Sequence, residues 1–210
     1  MKCIECDSPA SATARYCENC GRPLRGDDLN GLVARAHHLE LESRLGEAVA
    51  EYERLLESRE SGAESATVRK HLGNLHFRLG HLRRARTHLT RAAELDPENA
   101  SLWHDLGVVE YHLADLVGAT GSFRKALARD PDLQLALFWL GSALYHLGDL
   151  DDAASSFRQL IERNPNFMIA RFHLGVIYAR QGKKTEAETE FRRVLAENPE
   201  DVAARYYVSH

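Results

Sequence analysis

No stretch of this 210-residue sequence reaches the roughly 18 consecutive apolar residues that a membrane-spanning helix needs. The long uncharged run from Leu133 to Leu147 is broken by Gln134, Ser142, Tyr145 and His146. No membrane partner is therefore expected. Neither sign of charge dominates: 27 Lys and Arg stand against 31 Asp and Glu, a formal charge of −4, which gives no global pull toward nucleic acid or anionic lipid. The start, Met1-Lys2-Cys3-Ile4-Glu5-Cys6, lacks the basic segment and apolar run of a signal peptide, so the expected compartment is the cytoplasm. Catalytic signatures are missing too. The sequence has 11 His, but none forms an i, i+4 pair, and there is no His-Glu-x-x-His, Gly-x-Ser-x-Gly, phosphate-binding loop or dinucleotide fingerprint. No enzyme is expected. What remains, 44% hydrophobic and 28% charged, is the composition of a folded, water-soluble chain.

Cysteine is absent after residue 20, and its confinement is informative. Cys3, Cys6, Cys17 and Cys20 form a Cys-x2-Cys-x10-Cys-x2-Cys array. Two such pairs can each wrap a tight turn around one cation and together complete a tetrahedral S4 site, which zinc accepts in closed structural centres. A disulfide pair would need an oxidising compartment, a redox dithiol would need only one Cys-x-x-Cys beside a βαβ pattern, and an iron site would use the same ligands. Spacing and compartment together favour one structural Zn2+. With Gly21 after Cys20 and Arg22-Pro23-Leu24 closing the segment, residues 1–24 resemble the zinc-ribbon family, in particular its short bacterial N-terminal versions; Asp7 departs from the usual Gly. The domain is placed at residues 1–25.

The rest of the chain is periodic. Asp96-Pro97, Asp130-Pro131, Asn164-Pro165 and Asn198-Pro199 recur every 34 residues. Leu72-Gly73, Leu106-Gly107, Leu140-Gly141 and Leu174-Gly175 keep the same interval, as do Ala85, Ala119, Ala153 and Ala187, and Leu89, Phe123, Phe157 and Phe191. Apolar residues fall at helical spacing on two segments per period, split by a turn near Gly80, Ala114, Gly148 or Gly182. Each period is therefore a helical hairpin: small residues at the eighth and twentieth positions let the helices approach, and the large apolar residue at the twenty-fourth fills space toward the next hairpin. The Asp/Asn-Pro step ends each second helix.

A 34-residue helix-turn-helix period with these residues resembles the tetratricopeptide repeat family over residues 29–210. The resemblance implies an all-α, right-handed solenoid of about five hairpins plus a partial C-terminal helix, preceded by the small zinc ribbon. Residues 26–210 divide into units near 29–62, 66–99, 100–133, 134–167 and 168–201, with a partial capping helix at 202–210. The first unit is irregular, carrying Arg35-Ala36 in place of Leu-Gly, and the interval from Ala48 to Ala85 is 37, which puts extra residues in the loop Ser58 to Ser65. Arg35 is a candidate contact for the zinc ribbon.

The same resemblance implies a non-catalytic adaptor that holds a peptide or helix of a partner protein on a concave wall of first helices. Family geometry selects Lys70, His71, Asn74 and Arg78, then His104 and His112, then Phe138, Trp139 and His146, then Phe172, His173 and Arg180, with Phe77, Tyr111 and Tyr145 divided between the wall and packing. Phe138, Trp139 and Phe172 read as surplus to a core already filled by Leu137, Leu140, Leu144, Leu174 and Tyr178. Aromatic and Arg side chains are the commonest interface hot spots. Lys70 and Asn74 match half of the family's carboxylate clamp, but Asp105, Leu135 and Trp139 break the other half, which favours a partly apolar ligand. Charge is segregated: seven Arg or Lys and no acid between Ser65 and Ala93, then six acids and no Arg or Lys between Glu94 and Asp115. Neighbouring repeats neutralising one another is the plain reading. A nucleic-acid-associated regulator using the ribbon and this basic unit, and self-assembly into a homo-oligomer through the C-terminal lid with Tyr206 and Tyr207, are the alternatives.

Overall fold

The computed structural model describes residues 29–57 and 65–209, which form eleven helices. In chain order they are α1 (Leu29–Leu41), α2 (Leu45–Glu57), α3 (Ala66–Arg78), α4 (Leu82–Leu95), α5 (Ala100–His112), α6 (Leu116–Arg129), α7 (Gln134–Leu147), α8 (Leu150–Arg163), α9 (Met168–Arg180), α10 (Lys184–Glu197) and α11 (Val202–Ser209). No strand occurs among the described residues. The chain divides into two compact units, one ending at Leu95 and the other beginning at Asp96. The first holds hairpins α1–α2 and α3–α4. The second holds α5–α6, α7–α8 and α9–α10, closed by α11. The four cysteines, the loop insertion and the proposed ribbon contact partner of Arg35 lie outside the described residues; Arg35 itself sits 3.8 Å from Glu51 of α2.

Four of the five hairpins, α3–α4 to α9–α10, are drawn shut by a large apolar side chain resting on a glycine; α1–α2 has Ala36 at that position. A Cβ on Gly107 would lie 2.7 Å from Phe123 Cε1, one on Gly141 2.9 Å from Phe157 Cε2, one on Gly175 2.9 Å from Phe191 Cε1 and, in α3–α4, one on Gly73 2.5 Å from Leu89 Cγ. The absent methyl is what lets the ring in. Phe123, Phe157 and Phe191 are fully buried, each contributing about 2–3 kcal/mol by removal from water. Two of these rings reach the following helix, as the period implied: Phe157 stacks on His173 at 5.2 Å and Phe191 on Tyr207 at 4.5 Å. Tyr52 takes this role in the first hairpin and stacks on His71 at 5.1 Å.

The Pro carbonyls that end each unit gain donors that the periodicity did not announce. Arg129 Nε donates to the Pro97 carbonyl at 3.0 Å, and Arg163 Nη1 donates to that of Pro131, each spanning one hairpin. From the other side Trp103 Nε1 reaches Pro97 O at 2.8 Å and Arg171 Nε reaches Pro165 O at 3.0 Å. Carbonyls beyond a helix end need such partners, and here the bonds pin each hairpin of the second unit to the link that precedes it.

Candidate partner-binding face

The first-helix residues selected from the sequence divide between the two units. On α3, Lys70, His71 and Asn74 are half-buried and Arg78 is exposed. His71 is engaged with the preceding hairpin: its Nδ1 lies 3.0 Å from Glu40 Oε1 and its ring stacks on Tyr52. Burial and the neighbouring Glu40 raise the Tyr52 phenol above its usual range.

In the second unit the fifth positions lean on their own hairpins. His104 lies 6.1 Å from Phe123, Phe138 5.9 Å from Phe157, and Phe172 5.6 Å from Phe191, ring centre to ring centre. Phe138 also meets Phe167 at 6.0 Å and His173 at 5.6 Å, and Phe172 meets Tyr207 at 6.3 Å. Phe138 and Phe172 are thus half-buried wedges between helices and not surplus to the core, as their position alone implied. His104 Nδ1 is 3.2 Å from Asp105, with both side chains largely buried. His173, stacked on Phe157, is held below the usual histidine range by burial and secondarily by His146.

Trp139 has a different setting. It sits edge-on to Tyr111 at 5.2 Å and tilted over His112 at 6.0 Å. Tyr111 in turn meets His146 at 5.8 Å. On α9 the Arg180 guanidinium stands 5.1 Å above the Tyr145 ring and donates to the Tyr145 carbonyl at 3.5 Å. Trp139, Tyr111 and Tyr145 are half-buried, while His112, His146 and Arg180 are exposed. The result is an aromatic floor rimmed by three polar heads, drawn from α5, α7 and α9. Burial raises the Tyr111 phenol, so it stays neutral, a donor and acceptor, near pH 7. Tyr111, the hub of the cluster, carried only the signal of its twelfth position in the repeat, which His146 does not share.

Chemically the floor can accept an apolar or aromatic side chain, and the rim can bond its carbonyls or carboxylate. These six residues include no Ser, Thr or Cys to act as a nucleophile. Among the described residues no group of three or more His, Cys, Asp or Glu could hold a metal ion, and no helix is long and apolar enough to cross a membrane.

Solved structures share the fold at low sequence identity. YrrB, a TPR protein with an unusual peptide-binding site, is 24% identical with a TM-score of 0.78, covering 87% of this chain and 93% of its own. A tetratricopeptide repeat protein from Parabacteroides merdae is 19% identical with a TM-score of 0.79, over 88% of this chain and 72% of its own. MamA from Desulfovibrio magneticus is 18% identical with a TM-score of 0.76, over 84% and 98%. No curated protein matches the sequence. Residues 70–134, 119–158 and 140–202 match the tetratricopeptide repeat family. With well over half of its length matched, and glycine-on-phenylalanine hairpins repeating through it, the chain belongs to the tetratricopeptide repeat family.

Proposed function

We propose that the chain is a non-catalytic interaction scaffold that holds a peptide or helix of a partner protein against the first helices of its second unit. The observation that carries this is the Trp139, Tyr111, His112, His146, Tyr145 and Arg180 cluster. It places large, stiff rings beside exposed polar groups, which is the chemistry of an interface hot spot. YrrB, with its peptide-binding site, supports the reading by likeness of fold. Phe138, Phe172 and His173 then act beneath the ligand, keeping α7 and α9 at the spacing that the floor requires. The four cysteines, Cys3, Cys6, Cys17 and Cys20, are proposed from their spacing and the expected compartment to hold one structural zinc as a docking or second recruitment module.

The test is affinity capture from nuclease-treated lysate of the source cell with the intact chain and with Trp139→Ala plus His146→Ala. Folding of the variant is checked by its helical melt. Loss of a protein partner by about thirtyfold or more is expected, roughly one hot-spot contribution of about 2 kcal/mol. Equal capture by both would sink the assignment of this face. For the cysteines, one zinc per chain by elemental analysis, lost in Cys17→Ala plus Cys20→Ala, is the expected outcome.

A further inference from the structure

Of the hairpin turns that share one left-handed backbone, two carry basic and acidic side chains respectively at every matching polar position. Gly80-His81-Leu82-Arg83-Arg84 joins α3 to α4, and two periods later Gly148-Asp149-Leu150-Asp151-Asp152 joins α7 to α8. Both glycines are left-handed, with φ of +77 and +91. The hydrogen bonds repeat one for one: His81 N to His76 O at 2.8 Å and Asp149 N to Leu144 O at 3.0 Å, then Ala85 N to His81 O and Ala153 N to Asp149 O, both at 3.0 Å. On one frame, position for position, two arginines and a histidine replace three aspartates. Each turn borders a shallow depression, about 430 Å³ at the basic turn and about 640 Å³ at the acidic one.

Among the described residues the basic turn is not neutralised by a paired carboxylate. Arg78, Arg83 and Arg84 are exposed, and none forms an ion pair with a described residue. α3 has no acid, and the only acid of α4, Glu94, is held by Arg91 at 3.1 Å near the far end of the helix. At the acidic turn Asp151 accepts from Gln181 Nε2 at 2.9 Å, and Asp152 stands 3.5 Å from Arg124 with both side chains mostly exposed. Among the described residues Arg124 is the one cation paired with any of these three carboxylates, and the nearby Lys183 and Lys184 form no ion pair with them. Leu82 and Leu150, half-buried at the matching positions, give each turn the same small apolar centre.

We propose that the α3–α4 turn of one copy docks on the α7–α8 turn of a second copy, through Arg83 and Arg84 against Asp151 and Asp152. A second copy is the favoured occupant because the chain itself supplies the complementary surface, with the same spacing of charges on the same backbone. Exposed ion pairs are individually weak and screened over about 8–10 Å at ordinary salt. The contact is therefore weak, and its strength is set by ionic strength and local protein concentration. Its role is to bring scaffolds together where they are concentrated, a use separate from the aromatic face.

Sedimentation velocity on the full chain tests this from micromolar to millimolar concentration. At about 20 mM salt the wild type should show mass rising with concentration, and at about 500 mM the association constant should fall at least tenfold. Arg83→Asp plus Arg84→Asp should remain monomeric, as should Asp151→Arg plus Asp152→Arg. An equimolar mixture of the two variants should associate again, because the second variant's arginines meet the first variant's aspartates. Asp151→Asn plus Asp152→Asn serves if the arginine variant melts early, and it should weaken the wild-type association. A constant monomer mass at low salt overturns the proposal, even if the basic turn captures an acidic peptide such as polyglutamate. So does association of either variant alone at the wild-type strength, or a mixture of two folded variants that stays monomeric.

Discussion

Hairpins α3–α4 and α7–α8 close over a glycine in the same way, yet they bury different chemistry around it. In α3–α4 the inward positions carry Arg69, His76 and His88; in α7–α8 the equivalent positions carry Leu137, Leu144 and Ser156. His76 is buried and its ring stacks on His88 at 5.3 Å, while Arg69 Nη1 lies 3.3 Å from His88 Nδ1. Leu137 and Leu144 simply join the apolar cluster around Phe157. One backbone therefore tolerates both a polar and an apolar interior, so long as glycine and its large apolar partner stay apposed. The repeat geometry is fixed by that apposition, and the surrounding positions are free to set how stability responds to pH.

The largest effect should come from removing the partner of the glycine. Phe157→Ala is expected to cost about 3–5 kcal/mol and Leu89→Ala about 2–5, both read from urea denaturation. The ring also stacks on His173 of the next hairpin, so its loss should raise amide exchange in α9 as well as in α7 and α8. If exchange rose only within α7–α8, the ring would not be a tie between hairpins.

Next in size is a pair at the same two positions in the last full hairpin. Arg171 and Glu190, with side chains 11% and 12% exposed, lie 3.1 Å apart, and Arg193 also reaches Glu190 at 3.2 Å. Arg171→Met leaves a mostly buried carboxylate with one exposed partner and should destabilise by about 2–4 kcal/mol, while adding Glu190→Gln should recover part of that. Arg69→Met at the corresponding site should act in the opposite sense on acid stability, because Arg69 faces a histidine.

That contrast gives a pH dependence. Burial first, then Arg69, His76 and Arg84, hold His88 at about 4 against an ordinary 6.5. His76 is lowered by burial, His81 and Arg84, with Glu53 of α2 opposing. Between pH 6.5 and about 4 the unfolded chain binds protons that the folded hairpin does not, so stability rises with pH across that window and is lost as pH falls. Urea midpoints for α3–α4, followed by amide exchange, should drop from pH 7 to 5. His88→Gln should flatten that slope, and Arg69→Met should reduce it. A slope unchanged in His88→Gln would assign acid sensitivity elsewhere.

These polar interiors explain where sequence reading stopped. The hairpin, its turn and the glycine under Phe157 were legible because backbone contact dictates them at a fixed interval. Arg69, His76 and His88 were not, since helical periodicity says only that a position points inward, and these side chains satisfy it with unconventional chemistry. The aromatic face was legible in part. Trp139, His112, His146 and Arg180 came from their repeat positions, but the same positions presented Phe138 and Phe172 as free rings. Their half-burial follows from tilting onto Phe157 and Phe191, which no spacing reveals. The zinc reading rests on the sequence, through cysteine spacing and the expected compartment.

The smallest effect lies in the turns themselves. Gly80, Gly148 and Gly182 are left-handed, and the α5–α6 turn places Ala114 there with φ of 60. Asp115 N bonds Glu110 O at 2.9 Å, as Asp149 N bonds Leu144 O, so Ala114 is held in the glycine conformation by the same turn. An L-residue in that region costs about 1–2 kcal/mol, and glycine in its place returns about 0.5–1 kcal/mol to the unfolded chain as entropy. Ala114→Gly should therefore stabilise the second unit by about 0.5–1 kcal/mol, and Gly148→Ala should destabilise it by a similar amount. Opposite shifts in thermal midpoint are the expected pair. Shifts of the same sign would mean that the side chains around each turn outweigh its backbone, and that the shared frame is weaker than its hydrogen bonds imply.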